Sequence, residues 1–370
     1  MIPLNDFQRQ WRDLREDALA AFDAVGGAAR YILGAEVSTF EEALARYWRA
    51  GCAVGVASGL DAIEIALRSL GCTAGDKVLT TPLSAFATTL AILKLGAVPV
   101  FADTDRFGLI DLDVCRDALE SRRDVRFFVP VHLYGHALDR SRLAALRAGF
   151  DCRIVEDCAQ SIGAEWDGRP TGTAGDAAAV SFYPTKNLGA MGDAGAILTT
   201  DRRIAEAAMA LRDYGQSAKY RHELVGYNSR LDELQAAYLR RAALPRLAAW
   251  TDARRGIAAR YIAEIRNEAI CVPGAPAESN SCWHLFPVLV DRERKRDFLA
   301  WMHSRGVICG EHYPLLIPEQ PAMAGVRFEA LGDLATASRL ARSEVSLPVH
   351  AYLREEEVSQ VIDACNGWEG

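Results

Sequence analysis

The chain has 370 residues, half of them hydrophobic, and a formal net charge of −7. That is more apolar material than one core absorbs, since single cores stop growing near ~250–300 residues, so two domains are expected. Charged residues are spread along the chain with no basic block, which argues against a nucleic-acid or anionic-membrane surface and favours a small-molecule partner.

In chain order, residues 1–6 show no basic segment followed by an apolar stretch, and no later apolar run is long enough to cross a bilayer, so a soluble protein is expected. Short β-rich runs then occur at 53–57, 77–80, 98–102, 127–132, 153–156, 177–183 and 195–199, alternating with helical patterns. Between the first two runs, residues 61–70 place apolar side chains at helical spacing, and Gly71 closes that helix. Such alternation predicts an α/β fold built on a mostly parallel sheet with helices on both faces. From Leu231 to about Arg266 the chain is rich in Ala, Leu and Arg, a long helical stretch interrupted at Pro245. It predicts a passage between domains: a large domain over 1–249 and a smaller α+β domain over 250–370. Within the second, 283–290 reads as a strand, with helices at 293–305 and 355–365. The nine cysteines include no Cys-x-x-Cys pair, and several sit in apolar runs, where a reduced thiol behaves as a small hydrophobe. A reducing cytoplasm is the expected compartment.

Four segments carry chemistry. In Ser181-Phe182-Tyr183-Pro184-Thr185-Lys186-Asn187, a lysine follows the end of a buried strand. Desolvation there favours the neutral amine that attacks an aldehyde, although a lone lysine is more often exposed in a surface loop. Upstream, Arg153-Ile154-Val155-Glu156-Asp157 is an apolar strand ending in two acids, at the carboxyl end where parallel sheets bind ligands. Asp157 is the candidate to pair with the pyridine nitrogen of pyridoxal phosphate (PLP), or else a helix cap. At Ser58-Gly59-Leu60-Asp61 a glycine turn opens a helix, whose free amides and dipole favour phosphate. Phe86 follows a strand and can stack on a planar ring or fill core.

Set in order with Val131-His132-Leu133-Tyr134-Gly135, Gly226-Tyr227-Asn228-Ser229-Arg230, Glu311-His312-Tyr313-Pro314 and Leu347-Pro348, these segments resemble the DegT/DnrJ/StrS sugar-nucleotide aminotransferases. These are PLP enzymes of the aspartate-aminotransferase fold, fold type I. The resemblance covers nearly the whole chain. It implies that Lys186 bonds to the cofactor and shuttles protons, that Asp157 pairs with the ring nitrogen, and that Gln160 contacts the ring hydroxyl. Ser58, Gly59, Leu60 and Ser181 would hold the phosphate, Phe86 would stack on the ring, and Asn228 would reach the phosphate from a neighbouring subunit, giving a homodimer with shared sites. Leu60 stands where the family commonly has threonine, which leaves its backbone amide available. Gly59-Leu60-Asp61-Ala62 and Lys219-Tyr220-Arg221-His222-Glu223 resemble the branch acting on dTDP-linked 3-keto-6-deoxyhexoses, with glutamate as donor. By the same resemblance Lys219, Tyr220, His312 and Tyr313 are substrate-side candidates, and no metal is implied. Dehydratases of the family carry histidine where this chain has Lys186, so aminotransfer is favoured. A 4-keto sugar nucleotide or keto-cyclitol substrate, or a non-catalytic regulator, are the competing readings.

Overall fold

A computed structural model describes all 370 residues. Two helices, α1 (Phe7–Ala28) and α2 (Ala35–Trp48), come first. Asp6 starts α1 by accepting the Arg9 amide at 2.9 Å, which satisfies one of the helix's orphan donors. Then β1 (Cys52–Val56), α3 (Gly59–Ser69), β2 (Lys77–Thr80), α4 (Phe86–Lys94), β3 (Val98–Ala102), α5 (Leu112–Ser121), β4 (Val125–Val129), α6 (Arg140–Gly149) and β5 (Arg153–Asp157) alternate along the chain. A small hairpin, β6 (Glu165–Trp166) and β7 (Arg169–Pro170), leads to β8 (Ala177–Ser181), β9 (Gly195–Thr199) and α7 (Arg202–Arg212). A second hairpin, β10 (Gln216–Ala218) and β11 (Arg221–His222), follows.

The eight-stranded sheet runs β1-β9-β8-β5-β4-β2-β3 and then β14 (Glu329–Leu331). Only β9 lies antiparallel to both of its neighbours. Both faces are covered: Phe127 and Val129 of β4 pack into one apolar cluster with α3 and α7, while Phe128 between them joins the opposite cluster. Period-two alternation in a strand buried on both sides demands apolar residues at consecutive positions, and that is why these strands read as continuous apolar runs. Each fully buried phenylalanine here contributes on the order of 2–3 kcal/mol.

The long helical stretch begins as α8 (Glu233–Tyr238), widens into a π turn over Leu239–Ala243, tightens to a 3-10 turn at Leu244–Arg246, and resumes as α9 (Leu247–Glu264). Pro245, which has no N–H to donate, falls in the 3-10 turn. Beyond it lie β12 (Ser279–Asn280), β13 (Phe286–Leu289), α10 (Lys295–Ser304), α11 (Ala335–Ser343), β15 (Glu344–Leu347) and α12 (Glu355–Asn366). A C-terminal core gathers Ile257 and Tyr261 of α9, Phe286 and Val288, Phe298 and Met302, Val345 and Leu347, and Val361. Packing trades segments across the boundary expected at 249/250. Ile2 joins the C-terminal core and bridges Val307, and Arg9 pairs with Glu357 at 2.6 Å. In return β14 pairs with β3 at the edge of the large sheet, and Ile317, Met323, Ala337 and Leu340 enter its core. No helix is long and apolar enough to cross a membrane.

Candidate active site

The two acids ending β5 point to opposite faces of the sheet, as neighbours in a strand must. Glu156 is fully buried, facing His132 Nε2 at 2.9 Å and accepting the amides of Gly172, Ala174 and Gly175 at 2.7–3.0 Å. Burial pushes its carboxyl up, but the hydrogen bond and charge of His132 and these amides outweigh it and hold the group below the usual range. Every lone pair it needs is taken, so Glu156 is a structural acid. Asp157 accepts the Thr88 hydroxyl at 2.8 Å and the Ala159 amide at 3.0 Å. Burial raises its pKa, opposed by those two donors and by the charge of Lys186. It has no salt-bridge partner, and a protonated pyridine nitrogen would supply the missing cation.

Lys186 is presented by a tight turn. Its amide bonds to the Tyr183 carbonyl at 2.8 Å, and the Ala190 amide closes on Phe182 at 2.7 Å. A side chain on Gly189 would meet the Pro184 carbonyl oxygen at 2.4 Å, so only glycine fits there. Burial lowers the lysine's pKa to about 8, with the Asp157 carboxylate opposing the shift. Next to it, Asn187 donates to the Cys282 carbonyl at 3.0 Å and meets His284 Nδ1 at 3.2 Å, tying the lysine turn to the segment before β13. Burial, then the charge of Lys186, pushes His284 well below the ordinary imidazole range and His312 down to about 4, so both rings stay neutral beside the lysine.

The phosphate candidates converge where β1 and β8 end. Ser58 caps α3 by accepting the Asp61 amide at 3.1 Å, and the amides of Gly59 and Leu60 in the first turn find no acceptor in the chain. A Cβ at Gly59 would stand 2.6 Å from Ser181 Cβ, and one at Gly195 would stand 2.4 Å from the Ser58 carbonyl. The two glycines thus let three strand ends crowd around free N–H groups and the Ser181 hydroxyl, a cradle suited to an anion at a helix N-terminus. Phe86 opens α4, packed against the core with part of its ring free. Gln160 Oε1 accepts the Tyr134 amide at 2.7 Å while its Nε2 donates to the Tyr313 hydroxyl at 3.2 Å. His312 lines a cavity of about 170 Å³ together with His284, Thr185 and Leu4. Lysine, acid, cradle and aromatic match what PLP requires.

Three expected residues do not join this cluster within one chain. Lys219 and Tyr220 sit at the tip of the β10–β11 hairpin, where Tyr220 is 83 % exposed and the Lys219 ammonium lies 5.2 Å from its ring centre. The exposed side chain of Asn228 bonds to Arg230. Its neighbour Ser229 braces the start of α3, taking the Ala57 amide at 3.1 Å and donating to Asp61 at 2.7 Å. Sequence reading missed Thr88, Tyr134, Asn187 and His284. Thr88 lies two positions beyond Phe86 in the same segment, and the threonine pair Thr88-Thr89 on the inner side of a mostly apolar helix was the available signal.

The chain was also compared with known proteins. The profile of the DegT/DnrJ/EryC1/StrS aminotransferase family matches residues 12–366. Similar proteins include a "pleiotropic regulatory protein" of Geobacillus stearothermophilus, 37 % identical over 98 % of this chain and 97 % of the relative. The dTDP-3-amino-3,4,6-trideoxy-alpha-D-glucose transaminase of Streptomyces venezuelae is 38 % identical over 99 % of this chain and 96 % of its own. The crystal structure of S. venezuelae DesV superposes with a TM-score of 0.94 at 38 % identity, covering 99 % of this chain and 98 % of that one. With the fold, the half-buried lysine near Asp157 and a family match over nearly its full length, this chain belongs to the DegT/DnrJ/EryC1/StrS aminotransferases and is a PLP-dependent transaminase.

Proposed function

We propose that the chain moves an amino group from glutamate to C3 of a dTDP-linked 3-keto-6-deoxyhexose, working in the cytoplasm as a homodimer with shared sites. The observation that carries the chemistry is a partly desolvated Lys186 amine, with its pKa near 8, held opposite a buried Asp157. PLP supplies the electron sink and carries the amine between the two substrates. Asp157 would hold the ring nitrogen in its protonated form, and Ser58, Gly59, Leu60 and Ser181 would anchor the phosphate so that the reacting carbon stays beside Lys186. At mildly alkaline pH Lys186 is close to half neutral, so it can both take a proton from carbon and return one. Neutral His284 and His312 add no competing positive charge. The substrate assignment is supported by the Gly59-Leu60-Asp61-Ala62 and 219–223 segments and by the similarity to the S. venezuelae transaminase. All nine cysteines are unpaired, which suits a reducing compartment.

The decisive experiment offers glutamate with dTDP-linked 3-keto and 4-keto hexoses, and with UDP-linked counterparts, and locates the new amine by NMR. Efficient amination at C4 with the 3-keto sugar ignored would overturn the regiochemistry and leave the transaminase in place. The regulatory name of the G. stearothermophilus relative favours one alternative, a regulator without turnover. Such a protein would show no change in cofactor absorption when glutamate is added.

A further inference from the structure

One buried relay stands outside the cofactor contacts. Glu344, the first residue of β15, is 1 % exposed and accepts two hydrogen bonds: the His312 backbone amide at 2.7 Å on Oε2 and the Ser346 hydroxyl at 2.5 Å on Oε1. Ser346 Oγ lies 2.9 Å from His312 Nδ1. The loop carrying His312 is pinned to β15 by paired amide bonds between Gly310 and Ser346 at 2.8 and 3.0 Å. Its ring is wedged against Gly310, where a Cβ would meet His312 Cε1 at 2.8 Å. His312 Nε2, on the opposite edge of the ring, has no partner in the chain, and the residue lines the cavity shared with Thr185 and His284.

A serine hydroxyl has one proton to give. When Glu344 is ionised that proton goes to the carboxylate, so Ser346 can only accept, and His312 must carry its hydrogen on Nδ1. The Nε2 lone pair is then bare. We propose that Glu344 and Ser346 are positioning residues that fix His312 in this tautomer, so that Nε2 accepts a hydrogen bond from a hydroxyl of the keto-sugar. The sugar half of this statement rests on the function proposed above, while the tautomer stands on the relay alone.

The relay reverses if Glu344 gains a proton. The carboxyl then donates a hydrogen bond to Ser346, whose hydroxyl turns to donate one to Nδ1. The neutral ring gives up its Nδ1 hydrogen and takes one on Nε2 by exchange with solvent, so Nε2 becomes a donor. Burial, offset by Ser346, the His312 amide and the charge of Lys295, raises the Glu344 pKa to about 7. The other groups facing it are Glu311, which pairs with Lys295 at 2.7 Å, and Cys309, Tyr134 and Tyr313. The KM for the sugar should therefore rise as pH falls through about 7.

The test combines imidazole ¹⁵N NMR with steady-state kinetics on the holoenzyme at pH 8. The resonances are assigned with a His312→Asn variant. Wild type should show hydrogen on Nδ1. Glu344→Gln should show it on Nε2, because the amide nitrogen now donates to Ser346, and should raise the sugar KM about tenfold, the scale of one lost hydrogen bond, leaving the glutamate KM within about twofold. Ser346→Ala should raise the sugar KM in the same way and provides a second variant if the first folds poorly. Hydrogen on Nε2 in wild type, or a flipped tautomer with an unchanged sugar KM, overturns the proposal. A wild-type enzyme that aminates no keto-sugar overturns the functional reading and the sugar contact, while the NMR result still decides the tautomer.

Discussion

Glu156 and Asp157 are adjacent in the chain, and strand alternation sends one to His132 and the other to the lysine side. Substitution should separate their roles. Glu156→Gln leaves His132 and three amides imperfectly matched in the interior and should cost about 3 kcal/mol of stability in urea unfolding, with kcat little changed in the folded fraction. Asp157→Asn removes the anion from the cofactor side and should lower kcat by about 10³ with a near-normal urea midpoint. Lys186 gives a pH signature. Its folded pKa of about 8 lies below the ordinary lysine value, so the neutral amine grows as pH rises and is mostly formed above 8. Capture of PLP by apoprotein, followed by absorbance, should speed up about tenfold per pH unit below 8 and level off above it. Lysine and acid were both legible in the sequence because Asp157 ends, and Lys186 closely follows, a strand whose apolar run is easy to see. Thr88, Tyr134 and His284 were not, because what makes them matter is a contact across long stretches of chain.

Among the elements, the α3 start shows how far local pattern reaches. The Ser-Gly turn and helical spacing were readable, but the reason for glycine was not: it is the 2.6 Å approach of Ser181, which comes from β8 more than a hundred residues later. Gly59→Ala should push the cradle open and weaken PLP binding by about ten- to a hundredfold, measured as cofactor loss on dilution, while Lys186 and Asp157 remain in place. The seven strand runs were found because a strand buried on both faces has no polar positions to hide it. No element was assigned before residue 53, and α1 and α2 occupy that stretch. The three-residue β14 was equally out of reach, since its partner β3 lies over two hundred residues upstream. Pro245 was seen as an interruption, and the structure gives its form, a π turn followed by a 3-10 turn.

For the whole molecule, the proposed dimer makes a quantitative claim. Asn228, Lys219 and Tyr220 are exposed on the single chain, as residues serving a second subunit would be. Inactive Lys186→Ala chains mixed equally with inactive Asn228→Ala chains should recover activity, since mixed dimers hold one intact site; random pairing gives about a quarter of the wild-type sites. A fully active monomer in sedimentation would refute the shared site. The placement of Ile2 among the residues of the C-terminal core has a further consequence, for biosynthesis. Ile2 is translated some three hundred residues before Val307, the partner it bridges. While the sheet of the first half can assemble on the ribosome, that stretch must wait for its resting place, open to proteases and to chaperones. Completion of the C-terminal core is therefore a late, ring-closing event, and a label attached near Ile2 should report it long after the sheet has formed.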